Sequence, residues 1–166
     1  MTAEFVLDAR VRVADDLPFF AIRCAVLDSA VCEISLIFVN TPCFIEDSVL
    51  ALRSLLLERR PGVVLRTQIY SDITNPDILL FLMGDVREVK NKYARVFIKD
   101  QKIDNLKTTG AASNRRVVAK LIEKYLPVET LSKQWLTKKD LSDWGLIEDS
   151  PVQNYLKEIQ AELQEF

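Results

Sequence analysis

Short apolar runs alternate with longer amphipathic stretches along the 166-residue chain, a pattern typical of strands connected by helices. Apolar runs rich in β-branched and aromatic residues predict strands over residues 5–13 (with a bend), 34–39, 63–70, 86–90 and 94–99. Apolar residues at helical spacing predict helices over residues 16–29, 46–60, 75–83, 113–126, 137–144 and about 152–165. This order predicts an α/β fold with a mainly parallel sheet and right-handed crossovers, in a single domain that spans residues 1–166.

Several local sequences predict where helices begin and end. Asn75, Pro76 and Asp77 predict a helix start, because Asn can cap free amides, Pro suits the first helical position and Asp favours the positive end of the helix. Gly84 is expected to close that helix. Thr137 and Asp140 predict a capping arrangement for the short helix that follows.

Two faces are predicted from the hydrophobic pattern. The nearly continuous apolar run at residues 34–39 is typical of a strand covered on both faces. The helix over residues 16–29 is expected to pack through the apolar residues Leu17, Phe20, Ala21, Cys24 and Leu27.

The composition excludes several classes of function. The chain has three cysteines without C-x-x-C spacing, which predicts reduced, partly buried thiols and neither a disulfide framework nor a zinc site. A net charge of −2 provides no large positive field for nucleic acid or an anionic membrane. Apolar runs fall far short of the ~20 residues that span a bilayer. We therefore predict no nucleic-acid partner, no membrane partner, no metal and no cofactor.

The absence of histidine from the sequence bears directly on chemistry. Imidazole is the usual general base near neutral pH, and this chain cannot supply one. The first residues show no basic region leading into an apolar core, so a cytoplasmic location, or a plastid-type stroma, is expected.

Four sequence segments occur in a recognisable order. Residues 38–44 (FVNTPCF) stand where an Asn-Ser-Pro-Gly-Gly-like loop would follow a buried strand, and residues 67–75 (TQIYSDITN) stand where a strand would end in a Gly-x-Ala-Ala-Ser turn. Residues 94–99 (ARVFIK) match a Ser-Arg-Val-Met-Ile-His strand, and residues 136–148 (LTKKDLSDWGLIE) match a short helix ending in Tyr-Gly-Leu. Together they resemble the proteolytic subunit of Clp protease, a member of the Clp/crotonase superfamily, over nearly the whole chain. The resemblance implies that superfamily's layered fold.

Carried over by position, the resemblance places the family's catalytic serine at Asn75, its histidine at Lys99 and its aspartate at Lys133. The Gly-Gly pair of its oxyanion loop falls on Cys43 and Phe44. A carboxamide is a poor nucleophile, and two ammonium groups cannot reproduce an imidazole held by a carboxylate. The resemblance therefore implies a degenerate site without serine protease activity.

Three other sets of residues were candidates for a nucleophile. Ser113 follows a Gly-Ala-Ala sequence, but too few residues separate it from Gly145 for the family's remaining elements, so it is interpreted as a helix start. Thr74 with Lys99 would form a hydroxyl and lysine pair, which requires a desolvated lysine. Cys43 would need a lysine or a helix end to activate its thiol, and we interpret it as a small buried residue.

Three hypotheses of function follow. In the first, the chain is a non-proteolytic, Clp-like pseudoenzyme that acts as a structural or regulatory subunit, in a homo-oligomer or with a Clp-type paralogue. The region between Lys99 and Lys133 is short for the family's handle, which argues against a stacked double ring and leaves a single ring, a smaller oligomer or co-assembly with an active paralogue. In the second, it is a crotonase-type protein that binds acyl thioesters through backbone donors. In the third, it is an unrelated interaction module.

Overall fold

The computed structural model of the chain describes residues 1–8, 18–98 and 111–148, with side chains from residue 114 onward in the last range. Within these residues the main sheet has four parallel strands whose spatial order is their order in the chain. The strands are β1 (Thr2–Asp8), β2 (Glu33–Val39), β3 (Val64–Ile69) and β4 (Val86–Val89). They are connected through α1 (Phe19–Leu27), α2 (Glu46–Leu57) and α3 (Ile78–Leu82).

The later part of the chain adds a small second sheet and two helices. Its elements are β5 (Val96–Phe97), α4 (Ala111–Tyr125), a 3-10 turn (Val128–Ser132), β6 (Trp135–Leu136) and α5 (Lys138–Asp143). Strands β5 and β6 pair antiparallel. The predicted α/β class with a parallel sheet is confirmed, whereas the helix predicted at about 152–165 lies outside the described residues. No helix in the described part of the chain is both long and apolar enough to cross a membrane.

The strand order determines where the core lies. Each crossover moves one strand further in the same direction, so right-handed connections place α1, α2 and α3 on one face of the sheet. The core side chains alternate along the two central strands and point to that face. They are Ile34, Leu36 and Phe38 of β2 and Leu65 and Ile69 of β3, all fully buried.

The other face of the sheet carries an ionic network. Arg66 of β3 bridges neighbouring strands, with Nε 3.1 Å from Glu33 and Nη1 2.5 Å from Glu88. Lys90 and Gln68 also donate to Glu88. Although partial burial opposes ionisation, these hydrogen bonds from Lys90, Arg66 and Gln68 lower the pKa of Glu88 to about 2. Residues 34–39 are thus covered fully on one face only, which corrects the prediction of a strand covered on both faces.

Helix α1 packs through a different face from the one predicted. Its buried residues are Ile22, Ala25 and Val26, whereas Phe20 is 78% exposed and Leu27 is 72% exposed. The predicted apolar face was wrong because apolar residues occur around the whole circumference of this helix. The periodicity alone therefore does not select a side.

Gly84 follows the end of α3, as predicted, because the helix ends at Leu82 and Met83 is its last cap residue; the glycine also has a packing role. A Cβ at this position would lie 2.4 Å from Thr67 Oγ1, so only glycine lets the end of α3 approach β3 this closely. Thr67 Oγ1 in turn donates to the carbonyl of Phe81 in α3 at 2.7 Å. The glycine therefore serves helix–sheet packing.

Helices α4 and α5 close the described fold. Val118 and Ile122 of α4 are buried in the core, and Arg115 pairs with Glu46 of α2 at 3.2 Å. The predicted capping arrangement of α5 is confirmed: Thr137 Oγ1 accepts from the Asp140 amide while Asp140 accepts from the Thr137 amide.

Candidate functional site

The candidate site lies where β2 and β3 end. Carboxyl ends of neighbouring parallel strands share one edge of a sheet, and ligands of α/β folds commonly bind there. The loop after β2, residues 40–45, and the turn after β3, residues 70–77, meet at this edge. Asn40 and Thr41 both have positive φ values, 55° and 49°, and the Thr41 amide donates to Ser71 Oγ at 2.8 Å. A β-branched residue in this region is strained, so the contact with Ser71 helps to fix the loop.

Asp77 provides the second connection between these two segments. Its side chain is fully buried, and Oδ1 accepts a hydrogen bond from the Phe44 amide at 3.2 Å. Its other oxygen, Oδ2, is buried without a hydrogen-bond partner among the described residues. Burial raises the pKa of Asp77 to about 8, against the smaller lowering effect of the Phe44 hydrogen bond. The group is therefore a neutral carboxylic acid at pH 7.

Asn75 occupies the position that the resemblance assigns to the nucleophile. Its Nδ2 donates to the carbonyl of Ile98 at 3.0 Å, and its Oδ1 is buried without a partner in the described part of the chain. The peptide bond between Asn75 and Pro76 is cis. The prediction that Asn75 caps α3 is wrong. Its side chain donates to Ile98, directly after β5, and the residue that precedes α3 is Asp77.

Residues at or next to the three positions that the resemblance assigns to a catalytic triad meet at Ile98, directly after β5. Ile73 bridges Val96, and the Ile98 amide donates to the Gln134 carbonyl at 3.0 Å while its carbonyl accepts from Asn75. Asn75 therefore contacts Ile98 directly, and Lys133 is the neighbour in the chain of Gln134, which also contacts Ile98. Lys99 follows Ile98 in the chain but lies outside the described residues, so the Thr74 and Lys99 pair stays a prediction.

Lys133 forms a surface ion pair. Its Nζ lies 3.0 Å from Asp140 Oδ1, and its side chain is 47% exposed. The hydrogen bond from the Thr137 amide lowers the pKa of Asp140. The hydrogen bond from Lys133 adds to this effect, whereas slight burial opposes it. Lys133 thus serves the start of α5, and a paired ammonium has no lone pair with which to accept a proton.

The loop that the resemblance assigns to an oxyanion hole packs partly against the core. Phe44 is half-buried against the core, and Ile73 of the turn after β3 is fully buried. Cys43 is exposed, as are Cys24 and Cys32, so the prediction of partly buried thiols is wrong for all three. Loop residues at the end of a strand lie at the surface, and the apolar preference of cysteine does not overcome that location.

The remaining nucleophile candidate is also located. Helix α4 begins at Ala111, two residues before Ser113, so Ser113 lies within the first turn. The prediction that Ser113 starts a helix is therefore correct to within two residues.

Sequence reasoning missed two groups. Asp77 was interpreted as a helix-dipole partner, although an acid followed directly by six apolar residues signals a buried carboxyl. Arg95 places its guanidinium 4.9 Å from the ring centre of Phe97 and 5.6 Å from that of Trp135, and also pairs with Asp72. That cluster braces the 70–77 turn against the small sheet.

Within residues 1–8, 18–98 and 111–148, no three acidic or cysteine side chains converge as metal ligands do. No protein-family model matches this chain, and the search of curated proteins found no significant relative. The residues and their geometry therefore carry the functional argument.

Proposed function

We propose that this chain is a non-proteolytic, Clp-like subunit whose retained property is a scaffold that assembles with copies of itself or with a proteolytically active paralogue. The observation that supports this most directly is the engagement of the loop amides. The Phe44 amide donates to Asp77 and the Thr41 amide donates to Ser71. Both donors are used within the chain.

An oxyanion hole requires donors directed at the position where negative charge develops. In enzymes generally, loss of one such donor lowers kcat by about 10²–10³-fold. Here a substrate carbonyl would have to displace a buried carboxyl from Phe44 before it could use that amide. The Phe44 side chain packs against the core, and Ile73 of the turn after β3 is fully buried. This arrangement favours a structural role over acyl transfer.

The groups that would replace a catalytic triad are also engaged in structural contacts. The Asn75 amide is bonded to the Ile98 carbonyl, and Lys133 is paired with Asp140. No histidine exists in the sequence to accept a proton from a hydroxyl. Among the described residues at the triad positions, Asn75 and Lys133 therefore supply no base for an activated nucleophile.

Helix α1 supports the assembly part of the proposal. It buries Ile22 and Val26 against the core, while Phe20 and Leu27 are exposed on its outer side. A helix that is apolar on both sides is typically covered on both sides. A subunit contact would remove this apolar surface from water.

Sedimentation velocity tests the proposal. The chain is measured alone and mixed with an active Clp proteolytic subunit from the same source, and we expect an oligomer or a shared particle. Phe20→Glu should shift the chain toward monomer, whereas Val128→Glu, at a residue that is 79% exposed on the 3-10 turn, serves as the matched control. A monomer in both measurements at micromolar concentrations would overturn the proposal.

One observation favours the crotonase-type alternative. Asp77 is a neutral acid beside the same loop, and a neutral acid can donate a proton to a developing oxyanion. Titration calorimetry with an acyl-coenzyme A thioester distinguishes the two functions. The structural role predicts no binding at millimolar thioester; saturable binding that Asp77→Asn weakens would favour the alternative.

A further inference from the structure

The Asp77 carboxyl connects two segments that lie 33 residues apart in the chain. On one side is the strained loop after β2, and on the other is the turn that begins α3. Among the described residues, the Phe44 amide is the one hydrogen-bond donor to this carboxyl. Breaking this contact would separate the two segments at this point.

The proton content of the carboxyl decides whether the contact is favourable. A carboxylate accepts several hydrogen bonds and, when buried with one donor, is strongly disfavoured. A neutral acid needs one donor at its carbonyl oxygen and one acceptor for its hydroxyl. Phe44 supplies the donor, and Asn75, two residues earlier in the same turn, carries an acceptor oxygen, Oδ1, that is likewise buried without a partner in the described residues.

We propose that Asp77 is a protonation-dependent latch: as a neutral acid it holds the loop after β2 against the turn before α3, and as a carboxylate it releases that loop. The proton on Oδ2 is shared with Asn75 Oδ1, directly or through one water molecule. Release frees the Phe44 amide and uncovers Pro42, which is buried in the latched state. The latch does not depend on the proposed function.

Neighbouring charges do not provide this effect. In the described part of the chain, α3 packs against α2, α4 and β3, so the ionisable groups nearest to Asp77 are those of these elements and the Cys43 thiol of the loop itself. Glu46 pairs with Arg115, and Asp47 accepts from Asn114. The remaining ones are Arg53 of α2, Arg66 of β3, which is paired on the other face of the sheet, and, on α4, the half-buried Tyr125 and the exposed residues Arg116, Lys120, Glu123 and Lys124.

 None of these charges contributes to the raised pKa of Asp77, which burial causes.

NMR spectroscopy of the full chain, titrated between about pH 5 and pH 9, tests the latch. We expect the side-chain carboxyl carbon of Asp77 to titrate with a midpoint near pH 8. The amide signals of residues 40–45 should shift or broaden with the same midpoint, while amides in the core of β2 and β3 stay unchanged. A carboxyl that ionises near pH 4, or ionisation that leaves the loop amides unchanged, would overturn the proposal.

Two variants separate the latch from a general effect of pH. Asp77→Asn, which cannot ionise, should abolish the transition of the loop amides, whereas Asp143→Asn, at an exposed acid of α5, should leave it in place. Asn75→Ala removes the acceptor of the shared proton and should lower the midpoint, because hydrogen bonding then favours the neutral acid less. If the pH midpoint of Asp77 stays the same in Asn75→Ala, the shared proton is contradicted, whatever the result for Asp77→Asn.

Discussion

Replacing Asp77 with asparagine is expected to stabilise the protein, by an amount that grows with pH. Asparagine has nearly the same shape and keeps an oxygen that accepts from the Phe44 amide, but it has no charge to bury. In the wild type, folding requires the carboxyl to remain protonated at a pH where it is ionised in the unfolded chain. The variant removes that requirement.

The magnitude follows from the pKa. The folded-state pKa of about 8 stands against an ordinary value of 3.8, a difference of about 4 pH units. At about 1.4 kcal/mol per unit, this corresponds to a loss of about 6 kcal/mol in the free energy of unfolding. The free energy of unfolding is highest below about pH 4, falls as the pH rises toward 8 and levels off above it. It falls between about pH 4 and pH 8 because the unfolded chain binds fewer protons than the native state in this range. The value is an upper limit, since loop opening lets water reach the carboxylate.

Urea unfolding followed by far-ultraviolet circular dichroism measures this effect. We expect the free energy of unfolding of Asp77→Asn minus that of the wild type to increase by about 1.4 kcal/mol per pH unit between about pH 5 and pH 8. Asp143→Asn, an exposed acid, should show no comparable slope. A difference that stays constant across this range would refute a buried neutral acid at position 77.

Three further substitutions test the packing around the sheet and α5. Gly84→Ala should lower the free energy of unfolding by about 1–3 kcal/mol through the clash with Thr67, with part of it recovered by Thr67→Ala; urea unfolding that shows no loss would contradict the close approach. Thr137→Ala should cost about 1 kcal/mol in urea unfolding, because the Asp140 amide loses its cap; an unchanged free energy of unfolding would contradict the capping box. Arg66→Lys should cost about 1 kcal/mol in unfolding experiments, because a lysine cannot bridge both flanking glutamates, and the loss should shrink at low pH as these acids are protonated.

The sequence pattern was sufficient for the features that depend on local chemistry. The β-branched run at 34–39 and its neighbours predicted a parallel sheet, and β2 does pair in parallel with β1 and β3. Thr137 and Asp140 predicted a cap because the capping box needs only residues three apart in the chain. Both signals are contained within a few residues.

Features that depend on tertiary contacts could not be obtained in this way. Asn75 fits the pattern of a helix cap, but its amide binds Ile98, a residue 23 positions away. The buried side of α1 is selected by the sheet rather than by periodicity, because Phe20 is as apolar as Ile22. Asp77 fits the pattern of an acid at the positive end of a helix, but its contact with Phe44 and its full burial place it in the interior.

The central claim is that the residues at the ends of β2 and β3 form a structural contact and not a hydrolase site. Intact-mass spectrometry after incubation with a fluorophosphonate probe tests it most directly, with an active Clp proteolytic subunit as the positive control. The account predicts that this chain keeps its unmodified mass while the control gains the probe. Stoichiometric labelling of any serine or threonine in this chain would contradict it.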